Sequence, residues 1–237
     1  MKIALLGYGK MGKVIERIAL ERGHEIVLRK SSATTYDGLE NADVAIDFSV
    51  PSSAVANISE CLHNTIPVVS GTTGWLEEYS KIIALCEEKK GAFIYGSNFS
   101  LGVNLFFELN DYLAKMMSKF NQYSISMEEI HHTQKLDAPS GTAISLAKGI
   151  IANSNYTDWS LDKNSNENNI YIDAQRIENV PGTHSVFYTS EVDTIEIKHT
   201  AHSRDGFAFG AVIAAEWLVG KKGVFTMRDV LELEKRI

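Results

Sequence analysis

The 237-residue chain is 44% hydrophobic and 22% charged, which suits a globular protein with room for one large domain or two modest ones. Its formal net charge of -7 and pI near 5.5 argue against a general binder of phosphate backbones or anionic membranes, so any anion site has to be built locally. The two cysteines, Cys61 and Cys86, follow no metal-ligand spacing and are too few for a disulfide scaffold, which points to a reducing cytoplasm.

The opening MKIALLGYGKMGKV has one lysine and a short apolar run. Gly7, Gly9 and Lys10 break that run and no small-residue cleavage site follows, so the segment is expected to belong to the fold and not to a secretory leader. Through about residue 100 the pattern alternates: KIALL, EIVLR, ADVAIDF, PVVSG and AFIYG read as strands, with helices over 10–22, 51–64 and 75–89. In the first helix Met11, Val14, Ile15, Ile18 and Ala19 make one apolar stripe, Lys13, Glu16, Arg17 and Glu21 face away, and Gly23 supplies the stop. Such βαβ rhythm predicts a parallel sheet with helices on its faces.

After Gly102 the rhythm changes. A long helix is predicted over 104–120, an alternating strand over YSISMEEI and another helix over 140–152. The Asn-rich NSNYTDWSLDKNSNENN reads as an exposed loop, and IYIDAQRI, THSVFYTS and DTIEIKHTA as three strands, the last two a hairpin across Glu191 and Val192. Helix returns over 206–220 and 226–235. The longest apolar stretch, FAFGAVIAA, ends at Glu216, short of the roughly 20 residues that span a bilayer, so a soluble protein is expected. The chain thus divides into a doubly wound α/β domain over 1–103, an inserted α+β domain with a mixed sheet over 104–205, and a helical return to the first domain over 206–237.

Gly7, Gly9 and Gly12 form G-x-G-x-x-G between the first strand and the first helix. In that setting the glycines allow a tight turn, close approach of a pyrophosphate and close helix–strand packing, so a Rossmann-type dinucleotide site is preferred over three packing glycines. An NAD-selective site usually ends its second strand with a carboxylate on the ribose; here it ends Leu28, Arg29, Lys30, followed by Ser31 and Ser32. Two cations and no acid favour NADPH, unless Arg29 and Lys30 merely solvate the strand end. Three later strand ends are rich in small and hydroxyl residues: Asp47-Phe48-Ser49, Gly71-Thr72-Thr73-Gly74 and Ser97-Asn98-Phe99-Ser100. Each alone is ordinary turn chemistry; three in succession read as a wall for ribose and nicotinamide.

In EIHHTQKLDAPSGTA, residues 129–143, a strand delivers His131 to a loop and Ser140 caps the next helix. The N–H groups of Gly141, Thr142 and Ala143 would then face outward beside two hydroxyls, making a carboxylate socket. Lys135 adds positive charge, and His131 and His132 can donate hydrogen bonds or a proton. A small, doubly anionic substrate suits this cluster in an acidic protein. A plain structural loop is the second reading, and a metal site the third, because no H-E-x-x-H or Cys/His set accompanies the pair.

GYGKMG, DFSVP, SGTTGW, SNFSLGVN, EIHHTQKLDAPSGTA and HTAHSRDGFAFGAV, in this order over nearly the whole chain, resemble the 4-hydroxy-tetrahydrodipicolinate reductase (dihydrodipicolinate reductase) family of diaminopimelate and lysine biosynthesis. The resemblance implies NAD(P)H-dependent reduction of a cyclic 4-hydroxy dicarboxylate to tetrahydrodipicolinate with loss of water. It implies His131 as proton donor with Lys135 as catalytic lysine, and His132, Lys135, Ser140, Gly141 and Thr142 on the substrate carboxylates. It also implies Gly7, Lys10, Met11 and Gly12 at the pyrophosphate, Gly71, Thr73, Asn98 and Phe99 at the nicotinamide, and Arg29 at the 2'-phosphate. Family members commonly carry an acidic residue before that arginine for NADH; Leu28 stands here, so NADPH is expected to be preferred, with NADH still usable. A homotetramer built through the strands over 170–200 and hinges near 102–104 and 203–206 are implied as well. The roles of His199, His202 and Arg204 stay open. Two rivals are weaker: an acylating semialdehyde dehydrogenase lacks a well-placed cysteine, and a dinucleotide-sensing DNA binder lacks a basic helix-turn-helix module.

Overall fold

Short runs of almost uninterrupted apolar residues make the centre of the first sheet, and strands buried on both faces read that way. The structure is a computed structural model that describes residues 1–233. In chain order its first elements are β1 (Lys2–Leu6), α1 (Lys10–Glu21), β2 (Glu25–Lys30), β3 (Val44–Asp47), α2 (Pro51–His63), β4 (Val68–Ser70), α3 (Tyr79–Glu88) and β5 (Ala92–Tyr95). Next come α4 (Leu101–Met117), β6 (Ser124–His131), α5 (Gly141–Ile151), β7 (Asp158–Ser160), β8 (Asn169–Arg176), β9 (Gly182–Thr189) and β10 (Thr194–Ala201). α6 (Asp205–Leu218), β11 (Gly223–Phe225) and α7 (Met227–Val230) follow. The chain forms two compact units, one of residues 1–101 with the chain from Arg204 onward, the other of residues 102–203.

In the first unit six parallel strands lie in the order β11-β5-β4-β3-β1-β2. One face is covered by Ile15, Ile18 and Ala19 of α1 and by Ala208, Ala211, Val212, Ala215 and Leu218 of α6. The other face packs on Ala54, Ile58, Cys61 and Leu62 of α2 and on Ile82 and Cys86 of α3, so both cysteines are core residues. The chain leaves β1 for β2 on one side and places β3 on the other, creating a crevice at the carboxyl ends of β1 and β3 where ligands of such sheets bind.

Three expectations change here. The return segment contributes β11 as well as helix, since Gly223-Val224-Phe225 pairs with Ala92-Phe93-Ile94; a three-residue run is too short to show periodicity. The helix expected over 226–235 is a single turn closed by a Thr226/Asp229 capping box, and positions 234 and 235 lie outside the described residues. The helix expected from Trp75 starts at Tyr79, because the Trp75 indole is buried and donates to the Thr72 carbonyl at 2.7 Å, which leaves Leu76–Glu78 as a 3-10 turn.

The second unit has a mixed sheet, β10-β9-β6-β8-β7, antiparallel from β10 to β6 and parallel from β6 to β7. Ile125 and Met127 of β6, Ile170 and Ile172 of β8, and Val186 and Tyr188 of β9 pack against Phe106 and Leu113 of α4 and Leu146 and Ile150 of α5. α4 begins at Leu101, earlier than expected. The Asn-rich segment is not all loop, because its Asp158-Trp159-Ser160 pairs with β8 as an edge strand. Along β6 the alternation continues past the apolar core: Glu129 and His131 are buried like Ile125 and Met127, which puts both on one face.

Candidate active site

At the end of β1 the chain turns through Gly7 with φ 102°, and a Cβ there would sit 2.2 Å from the Phe48 carbonyl oxygen, so no side chain is tolerated. Gly9 then caps α1 with no side-chain partner for the helix N–H groups and no acid in the first turn, which suits an incoming phosphate. Lys10 is exposed, Met11 is half-buried and Gly12 is buried under the turn. Beside them a cavity of about 290 Å³ is lined by Gly7, Tyr8 and Gly9, by Lys30, Ser31 and Ser32, and by Phe48, Ser49 and Val50. The Lys30 ammonium lies 4.6 Å from the Tyr36 ring centre. The glycine cradle, the open helix terminus and the adjoining cavity fit a dinucleotide.

Arg29, expected at a 2'-phosphate, is turned onto Glu16: its Nε donates to Oε1 at 2.8 Å, its Nη2 donates to the same oxygen, and the Tyr8 hydroxyl donates to the other. Glu16 was expected to face away into solvent. The Arg29 guanidinium holds the Glu16 carboxyl below its ordinary pKa, and the Glu16 carboxylate raises the Tyr8 hydroxyl. At the end of β2 the groups that line the cavity are therefore the Lys30 ammonium and the hydroxyls of Ser31 and Ser32.

Asp47, expected among the cofactor contacts, is fully buried. One oxygen accepts from Ser49 Oγ at 2.7 Å and Asn57 Nδ2 at 2.8 Å; the other accepts from Ser70 Oγ at 2.8 Å and Thr72 Oγ1 at 2.7 Å. Burial pushes its pKa up while the four donors pull it down. Its carboxylate is spent on holding β3, α2, β4 and the next loop together. Ser49, by contrast, lines the cavity, and its N–H is fixed by Thr72 Oγ1 at 2.8 Å.

A second cavity of about 210 Å³ in the same unit is lined by Met11, Phe48, Gly71, Asn98, Phe99 and Arg204, among others. Asn98 is oriented by accepting from the Ser100 N–H at 2.9 Å, and the Phe48 and Phe99 rings stand 5.8 Å apart. Thr73 is exposed on the loop beyond Gly71. Arg204, left open by the sequence reading, joins this wall from the start of α6.

In the second unit Ser140 caps α5 as expected, its Oγ accepting from Ala143 N at 3.2 Å. That bond takes the Ala143 N–H out of the socket, which leaves those of Gly141 and Thr142. The Ser140 hydroxyl is buried and also meets His184 Nε2 at 3.0 Å, while its backbone N–H donates to Glu129 Oε2 at 3.0 Å. Lys135 Nζ donates to both oxygens of Asp137 at 2.8 Å. Arg176 gathers the loop, donating to the carbonyls of Lys135 at 3.3 Å and Asp137 at 2.6 Å and to Glu129 Oε1 at 3.1 Å.

His131 is buried, its Nδ1 without a hydrogen-bond partner and 3.6 Å from Glu129 Oε2; its ring centre is 5.0 Å from that of His184. Gly182 makes room for it, since a Cβ there would lie 3.2 Å from His131 Nε2. Burial lowers the His131 pKa, Lys135 and Arg176 lower it further, and Glu129 and Asp137 oppose them. Burial, with His131, His199 and Lys135 nearby, pulls His184 down to about 3. His132 is half-buried with an unpartnered Nδ1. His199 stands opposite His184 in the β9–β10 register with its ring 6.1 Å from that of Phe106, and His202 is exposed just beyond β10. Ligand atoms of Glu129, His131 and His184 lie within 4.8 Å of one another, as a metal site requires, but both Glu129 oxygens already accept from Arg176 and Ser140.

Of the residues expected here, His131 ends β6, His132 and Lys135 lie on the loop after it, and Ser140, Gly141 and Thr142 open α5; Glu129, Asp137, Arg176 and His184 join them without having been singled out from the sequence. A carboxylate at the apolar phase of the YSISMEEI alternation was the available signal for Glu129. Arg176 and His184 come from other strands and reach the site through register alone, Arg176 beside His131 and His184 opposite Glu129.

The sequence profile described as dihydrodipicolinate reductase, N-terminus, matches residues 1–99, and that described as dihydrodipicolinate reductase, C-terminus, matches residues 102–231. A 4-hydroxy-tetrahydrodipicolinate reductase of Christiangramia forsetii is 57% identical over 98% of each chain, and one of Thermosipho africanus is 34% identical over 98% of each chain. Among solved structures, a dipicolinate-bound dihydrodipicolinate reductase from Paenisporosarcina sp. TG-14 shares the fold with a TM-score of 0.74 at 22% identity, covering 95% of this chain and 97% of that one.

Proposed function

The chain belongs to the dihydrodipicolinate reductase family, and from that premise we infer how its residues divide the work. It is a 4-hydroxy-tetrahydrodipicolinate reductase: with NAD(P)H and one proton it converts 4-hydroxy-tetrahydrodipicolinate to tetrahydrodipicolinate and releases one water, in diaminopimelate and lysine biosynthesis. A bound dihydronicotinamide supplies the hydride. One substrate carboxylate sits on the Gly141 and Thr142 N–H groups and the Thr142 hydroxyl; the other takes Lys135 and His132. Ser140 acts from beneath, keeping those N–H groups aimed outward. His131 delivers the proton. The observation that carries this reading is the collection of Lys135, His131 and the α5 N-terminus around one loop in a protein of net charge -7. The Paenisporosarcina protein holds dipicolinate, a planar dicarboxylate of the same ligand class.

On the cofactor side, Gly7 to Gly12 receive the pyrophosphate, and Gly71, Asn98 and Phe99 border the nicotinamide. We propose that NADPH is preferred and NADH remains usable. Lys30, Ser31 and Ser32 offer a 2'-phosphate its contacts, Leu28 offers no repulsion, and Arg29 contributes only as far as Glu16 releases it. A homotetramer formed through the β8–β10 face and a cytoplasmic setting complete the proposal; light scattering checks the first.

The test is loss of reduced-nicotinamide absorbance with substrate made in place by the preceding synthase, run with NADPH and with NADH. Oxidation that depends on the synthase is expected, faster at low NADPH than at equal NADH. In His131→Gln, turnover drops by two or more orders of magnitude while NADPH affinity changes less than about threefold; unchanged turnover removes His131 from the mechanism.

A further inference from the structure

His131 is the end residue of β6, and the titratable groups around it come from its own strand, the following loop, β8 and β9. Glu129 faces it from its own strand, Lys135 and Asp137 from the loop, Arg176 from β8, and neutral His184 from β9. Among them Glu129 has the strongest constraint, because its side chain is wholly buried and each oxygen is tied, Oε1 to Arg176 and Oε2 to the Ser140 N–H. Oε2 then points at the unpartnered His131 Nδ1 from 3.6 Å. If that nitrogen carries only a lone pair, the contact is repulsive. With a proton on Nδ1 the same contact is an N–H facing a buried carboxylate, and charging the ring strengthens that attraction further.

We propose that Glu129 is a positioning residue that orients His131 and stabilises its protonated, donor-ready form, and that Arg176, by gripping the same carboxylate, limits how much of that stabilisation reaches the ring. The proposal rests on His131 being the proton donor. The two residues act on His131 with opposite sign. Glu129 favours the charged ring; Arg176 opposes it both directly and by neutralising Glu129. Arg176 has a second duty, since it also holds the carbonyls of Lys135 and Asp137. The pair therefore links the proton donor to the loop that carries the substrate-binding lysine.

The experiment is the pH dependence of kcat at saturating substrate and NADPH for the wild type, Glu129→Gln, Arg176→Gln, Arg176→Lys and His131→Gln, with NADPH affinity and thermal unfolding measured on each. A donor that must be protonated makes kcat fall as pH rises through its pKa. That fall moves to lower pH by about one unit in Glu129→Gln and to higher pH in Arg176→Gln, and stays in place in Arg176→Lys, which keeps the charge. Loosened packing would lower kcat in all of them without opposite movements of the profile. Wild-type profiles in both Gln variants, or movement in the same direction, overturn the proposal. If Glu129→Gln does not fold, the direction in Arg176→Gln against Arg176→Lys decides it. His131→Gln separates the two readings: it lacks this limb if His131 is the donor, and retention of the limb there defeats the donor assignment itself and the Glu129 proposal with it.

Discussion

Replacing Asp47 tests whether the wall of the dinucleotide cavity is held by one buried carboxylate. In Asp47→Asn the side chain keeps its shape, and its oxygen can stay on Ser49 and Asn57, whose amide oxygen is already engaged by the Tyr36 hydroxyl at 2.8 Å. Its amide nitrogen then faces Ser70 and Thr72, whose hydroxyls can turn from donating to accepting. Only the charge assistance is lost, so the cost is about 1 to 3 kcal/mol. In Asp47→Ala four donors, three of them buried, lose their acceptor at once, and even with the hydroxyls turning elsewhere the cost exceeds about 4 kcal/mol. Equilibrium urea unfolding measures both, and NADPH titration of the folded fraction is expected to weaken in the same order because Ser49 and the Thr72 loop lose their anchor. An Asp47→Ala midpoint equal to that of Asp47→Asn would refute the reasoning, since it would mean the four bonds do not act through the carboxylate.

Three further outcomes are expected. His184 stays neutral in the fold, with its pKa held down to about 3, whereas the unfolded chain takes a proton below about pH 6.5; stability is therefore full above that pH and falls as pH drops, by about 2 kcal/mol at pH 5. His184→Asn should show a flatter stability profile between pH 6.5 and 5 in denaturant titrations, and parallel profiles would contradict the assignment. Glu16→Gln frees Arg29 for a 2'-phosphate and should lower KM for NADPH relative to NADH by roughly three- to tenfold in steady-state kinetics; an unchanged ratio would show that Arg29 does not reach the cofactor. Asp137→Asn releases Lys135 from an exposed pair, so KM for the dicarboxylate should change by no more than about fivefold, and a loss of two orders of magnitude would assign Asp137 a part in the chemistry.

The dinucleotide unit was readable because its signals are local. Gly7, Gly9 and Gly12 lie within six residues, the apolar runs of β1, β3 and β5 are continuous, and the stripe of α1 repeats over three turns. β11 escaped because it is three residues long and becomes a strand only by pairing with β5. The inserted unit was readable as strands and helices, except that β7 is too short and too polar at its ends to declare itself before β8 is beside it.

The site divides in the same way. Sequence determined the α5 cap, the loop from His131 to Pro139 and the open start of α1, because capping, turn formation and strand alternation depend on neighbours a few residues apart. Tertiary structure decided the electrostatics. It put Arg29 on Glu16, set Asp47 among four internal donors, and brought Glu129, Arg176 and His184 around His131. Apart from Asp47–Ser49 and Glu129–His131, those pairings join residues between 10 and 55 positions apart, and strand register and burial choose among them, which no local pattern in the chain encodes.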